Sequence, residues 1–346
     1  MAANRLFQGG FAAIRRSCRA DAAHNKKGNT SMQTANPAVG GQRVQHHGSG
    51  GELFVIYLIN MLLKAITLGI YHFWAKVRVR RYLWSQTSFD GERFEYDGTG
   101  GELFMGFLKV VGLYLLLFIV FSVAGMVSSG LQALLFGALY MAFPVLIGAG
   151  LYSAQRYRLS RTRLRGVRFG LDGSAWRYGW SMLGYGIITL LTLGLYKPFM
   201  DMHLARQMYA ATRYGGEHFD FQGQGGDLFK SFLLAWLLTL PTLGLIWFWY
   251  LGVSMRYTAE KLSFPGLSFR LDVSGGAFFM LWLTNILLLM FTLGLAFPWV
   301  LLRNMHFITR RLAVEGQVNY AAIQQTAAEA NTTGEGLVDA LDLGAI

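Results

Sequence analysis

Five times along this chain the same string of features returns in the same order, and that recurrence bounds what the chain can fold into. The clearest copy, residues 63–104, reads LKAITLGIYHFWAKVRVRRYLWSQTSFDGERFEYDGTGGELF. An apolar helix runs into a Thr-Leu-Gly break. A basic-aromatic helix follows, then two short strands about a glycine, then a Gly-Gly-acid restart. The break threonine recurs at Thr67, Thr192, Thr242 and Thr292, and its glycine at Gly69, Gly194, Gly244 and Gly294. Fourteen residues after each threonine stands a cation: Arg81, Arg206, Arg256 and His306. The strand-turn glycines Gly91, Gly216, Gly266 and Gly316 hold the same register. One further unit fits between the first and the second, with Arg156 matching Arg81, Gly166 matching Gly91, and Ala142-Phe143-Pro144 at the break position. The five units are offset by 75, 50, 50 and 50 residues. Self-similarity at a fixed period marks a repeated supersecondary unit that buries its apolar face against its neighbours.

The medium follows from composition. Of 346 residues, 53% are hydrophobic and 14% charged, where soluble domains carry about 25% charged. The apolar residues run in long blocks. The fold class expected is therefore a membrane protein, mainly α-helical: a polytopic bundle of five repeated helical-hairpin units, each followed by a short β-hairpin on the cytoplasmic face. The repeat domain covers 48–322, with units at about 50–99, 100–174, 175–224, 225–274 and 275–322. Residues 1–47 read as a disordered basic tail, and 323–346 as a disordered acidic one. The formal charge of +12 points to cytoplasmic surface and anionic lipid headgroups as partner. No basic soluble domain offers a nucleic-acid face. A lone cysteine, Cys18, excludes an intrachain disulfide.

Topology is less direct. A hydropathy window finds six spans, two of them the long arms 103–127 and 131–152 joined at Ser128-Ser129-Gly130. If each unit crosses once, the cations divide 15 to 13 between the faces, which leaves no positive-inside bias. If each unit is a hairpin that enters and leaves on one face, 20 cations outside the tail share that face and the tips keep only Lys64 and Lys197. The hairpin arrangement is expected for that reason. It also lets the strand segments meet in one sheet or ring. Each segment places glycine at a turn and alternates Phe or Tyr with polar residues, the period-two pattern of a half-buried strand. The Glu or Asp after the glycine pair suits a first helical turn.

The glycine restart with Glu-Leu-Phe, Thr-Leu-Gly-Ile-Tyr followed by Phe-Trp-Ala-Lys-Val-Arg at 67–78, and Phe-Glu-Tyr-Asp-Gly-Thr-Gly at 94–100 resemble the YjgN-type family of bacterial inner-membrane proteins, a domain of unknown function. The resemblance covers about 45–320. It implies inner-membrane residence and carries over no catalytic residue.

Candidate site residues form two groups. The recurring cations Arg81, Arg156, Arg206, Arg256 and His306 fit a pseudo-symmetric set of headgroup or anionic-ligand contacts, or side chains that snorkel or pair with the strand acids. The intramembrane polar residues Asn60, Lys64 and Asn285 fit a permeation path. Asn60 and Asn285 share a register and would face one another if the units closed into a ring. No His-rich ligand spacing for a metal, phosphate-binding loop or nucleophile elbow occurs, so neither cofactor nor catalysis is expected. The function expected is permeation or transport of a small solute or lipid-like molecule. The alternative is a scaffold that binds anionic lipid or a partner. Oligomeric state is open.

Overall fold

The computed structural model describes residues 42–318 together with Tyr320 and Ile323. The expected tails therefore lie outside the described residues, apart from 42–47 and Ile323. Strand β1 (Gln42–His46) comes first, and five helix pairs follow. These are α1 (Gly50–Ile66) with α2 (His72–Ser85), and α3 (Gly100–Val127) with α4 (Ser129–Ser160). Next come α5 (Ala175–Leu191) with α6 (Lys197–Tyr209), α7 (Gly225–Leu237) with α8 (Ile246–Lys261), and α9 (Gly275–Phe291) with α10 (Phe297–Thr309). After successive pairs come β2 (Thr87–Phe89) and β3 (Glu92–Tyr96); β4 (Thr162–Leu164) and β5 (Val167–Leu171); β6 (Thr212–Tyr214), β7 (Glu217–His218) and β8 (Asp220–Phe221); β9 (Leu262–Phe264) and β10 (Leu267–Leu271); and β11 (Leu312–Gly316).

All the strands belong to one antiparallel sheet, in the order β7-β6-β5-β4-β3-β2-β1-β11-β10-β9-β8. Its two ends, β7 and β8, are halves of a single segment parted only by Phe219, so the sheet closes on itself as a small barrel. Closure removes the exposed edges that a row of short strands would otherwise present. The helices follow the same circuit. Each packs on its neighbours in the chain, and α10 packs on α1. Every helix pair thus leaves the barrel and returns to it.

Three expectations are corrected. Residues 42–46, inside the stretch expected to be tail, form β1. The last unit carries no hairpin of its own among the described residues. β11 pairs instead with β1, Gln42 opposite Val314 and Arg43 opposite Ala313, while β1 pairs on its other side with β2. The two ends of the repeat domain together supply the strand pair that one unit lacks. Finally, α4 passes through Pro144 unbroken. The 25 extra residues of that unit allow two continuous helices, and in a long apolar helix neighbouring groups can satisfy the carbonyl a proline frees. The turn moves to Ser128, whose hydroxyl accepts from Gly130 N–H.

The other four pairs bend at Thr-Leu-Gly, and the bend is a Schellman cap. The amide of the glycine reaches back five residues, Gly69 to Lys64 O at 2.7 Å and Gly244 to Thr239 O at 2.8 Å. The residue in the left-handed region ahead of it is leucine: Leu68, Leu193, Leu243 and Leu293 have φ between 49° and 52°. Each threonine hydroxyl donates to the carbonyl four residues back and accepts an amide from four residues ahead. For Thr67 these are Leu63 O at 2.7 Å and Tyr71 N at 3.0 Å, and Thr192, Thr242 and Thr292 repeat the pair. The leucines stand 78–94% exposed. A turn that hydrogen-bonds its own backbone and presents leucine outward is suited to hydrocarbon.

Candidate functional site: a phenylalanine-lined barrel cavity

The unit offsets of 75, 50, 50 and 50 residues reappear inside the barrel. Phe89, Leu164, Tyr214, Phe264 and Val314 are buried together in one cluster, and Val44, Phe94, Phe169, Phe219 and Phe269 pack against them. The two sets are cross-strand partners. Val44 lies opposite Phe89, Phe94 opposite Leu164, Phe169 opposite Tyr214, and Phe269 opposite Val314. Phe219 and Phe264 complete the set with ring centroids 4.8 Å apart. Alternation along each strand sends one residue type inward, and closure brings the inward residues into two five-membered rings.

These rings enclose a cavity of about 560 Å³, within the 300–1,000 Å³ range of ligand pockets. On the side of the strand turns, Val318 and Tyr320 line it. Tyr320 is held there by its hydroxyl, which donates to Asp90 Oδ2 at 3.3 Å, and by the Arg165 guanidinium 4.0 Å above its ring. Arg165 also pairs with Asp90 at 2.9 Å. On the helix side the lining turns polar, with Gln155, Arg158, Thr87 and Thr162. Thr162 Oγ1 accepts from the Trp84 indole at 3.0 Å. Burial pushes the Tyr214 phenol up to about 12, so the phenol stays neutral at physiological pH. Such a chamber can hold an apolar molecule. Among the described residues no three His, Cys, Asp or Glu side chains gather as a metal site.

Most of the sequence candidates lie elsewhere, tied to the chain itself. Arg81 donates to Gly98 O at 3.2 Å and Arg206 to Gly223 O at 2.8 Å. Arg156 donates to Leu171 O at 3.1 Å and Gly173 O at 2.6 Å. His306 Nε2 lies 3.1 Å from His46 O. Each of these ties the end of a second arm to the link between a strand and the next helix. No such bond is described for Arg256. Asn60 is buried, with its amide 3.4 Å from Ala75 O. Asn285 is buried and donates to Asn304 Oδ1 at 2.8 Å. Each is thus tied within its own helix pair, and the pairing of Asn60 with Asn285 does not form. Lys64 is half-buried in the last turn of α1, close enough for its charge to act on His72.

Sequence reasoning missed three features. The rings of inward residues were legible in the repeat offsets, which also reach Val44 from Phe94. The tyrosines beside the recurring arginines hold the restart acids: Tyr82 donates to Glu52 at 3.0 Å, Tyr157 to Glu102 at 2.8 Å and Tyr257 to Asp227 at 2.5 Å. Glu102 also completes a capping box with Thr99. The third feature is a histidine pair at the seam between the chain's two ends, with the His46 and His306 rings 5.1 Å apart. Burial first, then the charges of His306 and His47, lowers the His46 imidazole to about 4.

Among known proteins, the chain matches the family described as "Bacterial protein of unknown function (DUF898)" over residues 41–255 and 236–340. It is 37% identical over 146 residues to the inner membrane protein YjgN of Salmonella typhimurium, across 42% of this chain and 35% of that protein. Identity to the protein of the same name from Escherichia coli K12 is 33% over 148 residues, across 43% of this chain and 35% of the relative. The matched stretch thus spans about a third of the length of these curated relatives. No solved structure matches the chain.

Proposed function

This chain belongs to the DUF898 family of bacterial proteins, and from that membership we propose that it is a multi-pass inner-membrane protein that carries a small lipid-like molecule between the bilayer and a cytoplasmic barrel. The observation that carries this reading is the apolar cavity of about 560 Å³ at the centre of a closed ring of helix pairs. Relatives named as inner membrane proteins support the location. So do α3 and α4, at 28 and 32 residues. At 1.5 Å per residue these run about 42 and 48 Å, against a hydrocarbon core of about 30 Å.

Each remaining unit is a shallow hairpin in this reading. A 17-residue first arm such as α1 spans about 25 Å, so its leucine tip reaches into the bilayer without leaving it. The barrel side carries 20 of the cations and the tips carry Lys64 and Lys197, and that asymmetry supports a cytoplasmic barrel by the positive-inside rule. The scaffold reading is weaker. Arg81, Arg156, Arg206 and His306 already spend donors on the chain's own carbonyls.

Two measurements test the proposal. In a Cys18→Ser background, single cysteines at Gly91, Gly216 and Gly266 should resist a membrane-impermeant maleimide in intact cells and react once the membrane is opened. Labelling of Gly216 alone from outside overturns the one-faced arrangement. In proteoliposomes, transfer of a fluorescent fatty acid across the bilayer should be accelerated in proportion to the protein. A rate equal to that of empty vesicles overturns the carrier reading.

A further inference from the structure

We propose that the barrel cavity holds one single-chain lipid with an anionic head, its acyl chain between the phenylalanine rings and its head on Arg158, Arg80 and Lys76. The inference deepens the reading above and shares with it the premise that the cavity seats the cargo.

The chain end of the site follows from shape and lining. The turn side is stopped by Tyr320, itself fixed by Asp90 and Arg165. Between that floor and the helix side the walls are hydrocarbon and aromatic. A ten-strand circuit leaves a lumen of narrow bore, which suits one chain and excludes a two-chain lipid lying side by side.

The head end follows from charge. Arg158 lines the mouth, and its guanidinium contacts Gln155 Oε1 at 2.5 Å. Arg80 and Lys76 stand close enough for the three cations to repel one another. Lys76 and Arg80 are four apart on α2 and share one face, where like charges destabilise a helix. Arg80 donates to the Tyr96 hydroxyl at 3.3 Å. The neighbouring acids are committed elsewhere: Glu102 to Arg161 at 3.0 Å, Asp97 to Arg163 at 2.7 Å and Asp90 to Arg165. Among the described residues no acid pairs with Lys76, Arg80 or Arg158. Three mutually repelling cations, of which Arg158 lines the apolar chamber and Lys76 and Arg80 stand behind it on α2, are complementary to an anionic group joined to a hydrocarbon chain. A free anion would leave the chamber empty, and a neutral lipid would leave the cations uncompensated. Two guanidinium forks favour a carboxylate or phosphate head.

The test uses the full chain purified in a non-ionic detergent, with cis-parinaric acid as fluorescent probe. The expected result is saturable binding of one probe per chain. Oleate and lysophosphatidylglycerol should displace it, and oleyl alcohol and oleylamine should not. The order of the two anionic competitors separates a carboxylate head from a phosphate head. Arg80→Gln with Arg158→Gln should weaken probe binding at least about tenfold, and Arg310→Gln should leave it unchanged. Absence of saturable binding overturns the inference, as does displacement by the alcohol as strong as by the acid, or full binding in the double variant. If the double variant does not fold, the competition series on the native chain still decides. Binding without transfer in proteoliposomes overturns only the carrier reading. Transfer without the binding site overturns only this one.

Discussion

At the scale of single residues, the paired glycines divide their labour. A Cβ on the first of each pair would strike the preceding second arm: Phe199 Cα lies 2.4 Å from its place at Gly225, and Trp249 Cα 2.4 Å from its place at Gly275. The second of each pair, Gly226 or Gly276, has nothing within 4 Å. Backbone cannot move aside as a side-chain end can, so the first glycine is a packing requirement and the second is not. Gly225→Ala and Gly275→Ala should each lower stability by about 2 kcal/mol or more, the usual scale of core overpacking. Gly226→Ala should be neutral or raise stability by up to about 1 kcal/mol through helix propensity. Thermal unfolding of the detergent-solubilised variants separates the two cases. Equal losses at both positions would refute the assignment.

At the scale of elements, β1 and the histidine seam decide whether the circuit closes. Without β1, both β2 and β11 become open edges. A chain begun at residue 48 should therefore melt lower than one begun at residue 40, and aggregate. The seam carries a pH dependence of definite sign. His46 titrates at about 4 in the folded protein against 6.5 when free. The unfolded chain therefore takes up the proton first, and stability present above about pH 6.5 is lost as the pH falls toward 4. The loss from this one group reaches about 2 kcal/mol by pH 5. Melting temperatures measured between pH 7.5 and 5 should fall in the native chain, with a shallower slope in His46→Gln. An unchanged slope in that variant would place the titration elsewhere.

At the scale of the whole molecule, one sheet gathers the strands that follow every helix pair among the described residues. Each unit alone has one apolar helix, one basic arm and two strands too short to stand by themselves. Closing the circuit lets five such units bury their inward residues against each other, and it leaves a central chamber because ten short strands carrying rings of five do not fill their own lumen. The extra length in α3 and α4 departs from this symmetry. It makes that pair alone, among the described helices, long and apolar enough to cross a bilayer, while leaving its strands in register with the rest.

The sequence by itself determined the medium, the unit and the period. These are local or additive properties: hydrophobic length, turn chemistry at Thr67 and its copies, and alternation about Gly91 and its copies. The helix arms, the proline starts at Pro198 and Pro298 and the strand pairs of the first four units were legible on that account. Only the tertiary structure decided the rest. Val44 belongs to the barrel because β11 has an edge to satisfy. Arg158 stands apart from the recurring arginines because closure turns it to the mouth of the cavity. The recurring arginines themselves bond to carbonyls that only folding brings within reach. Closure of the barrel depends on which chain ends meet, and pairing across 270 residues is not encoded in any local pattern.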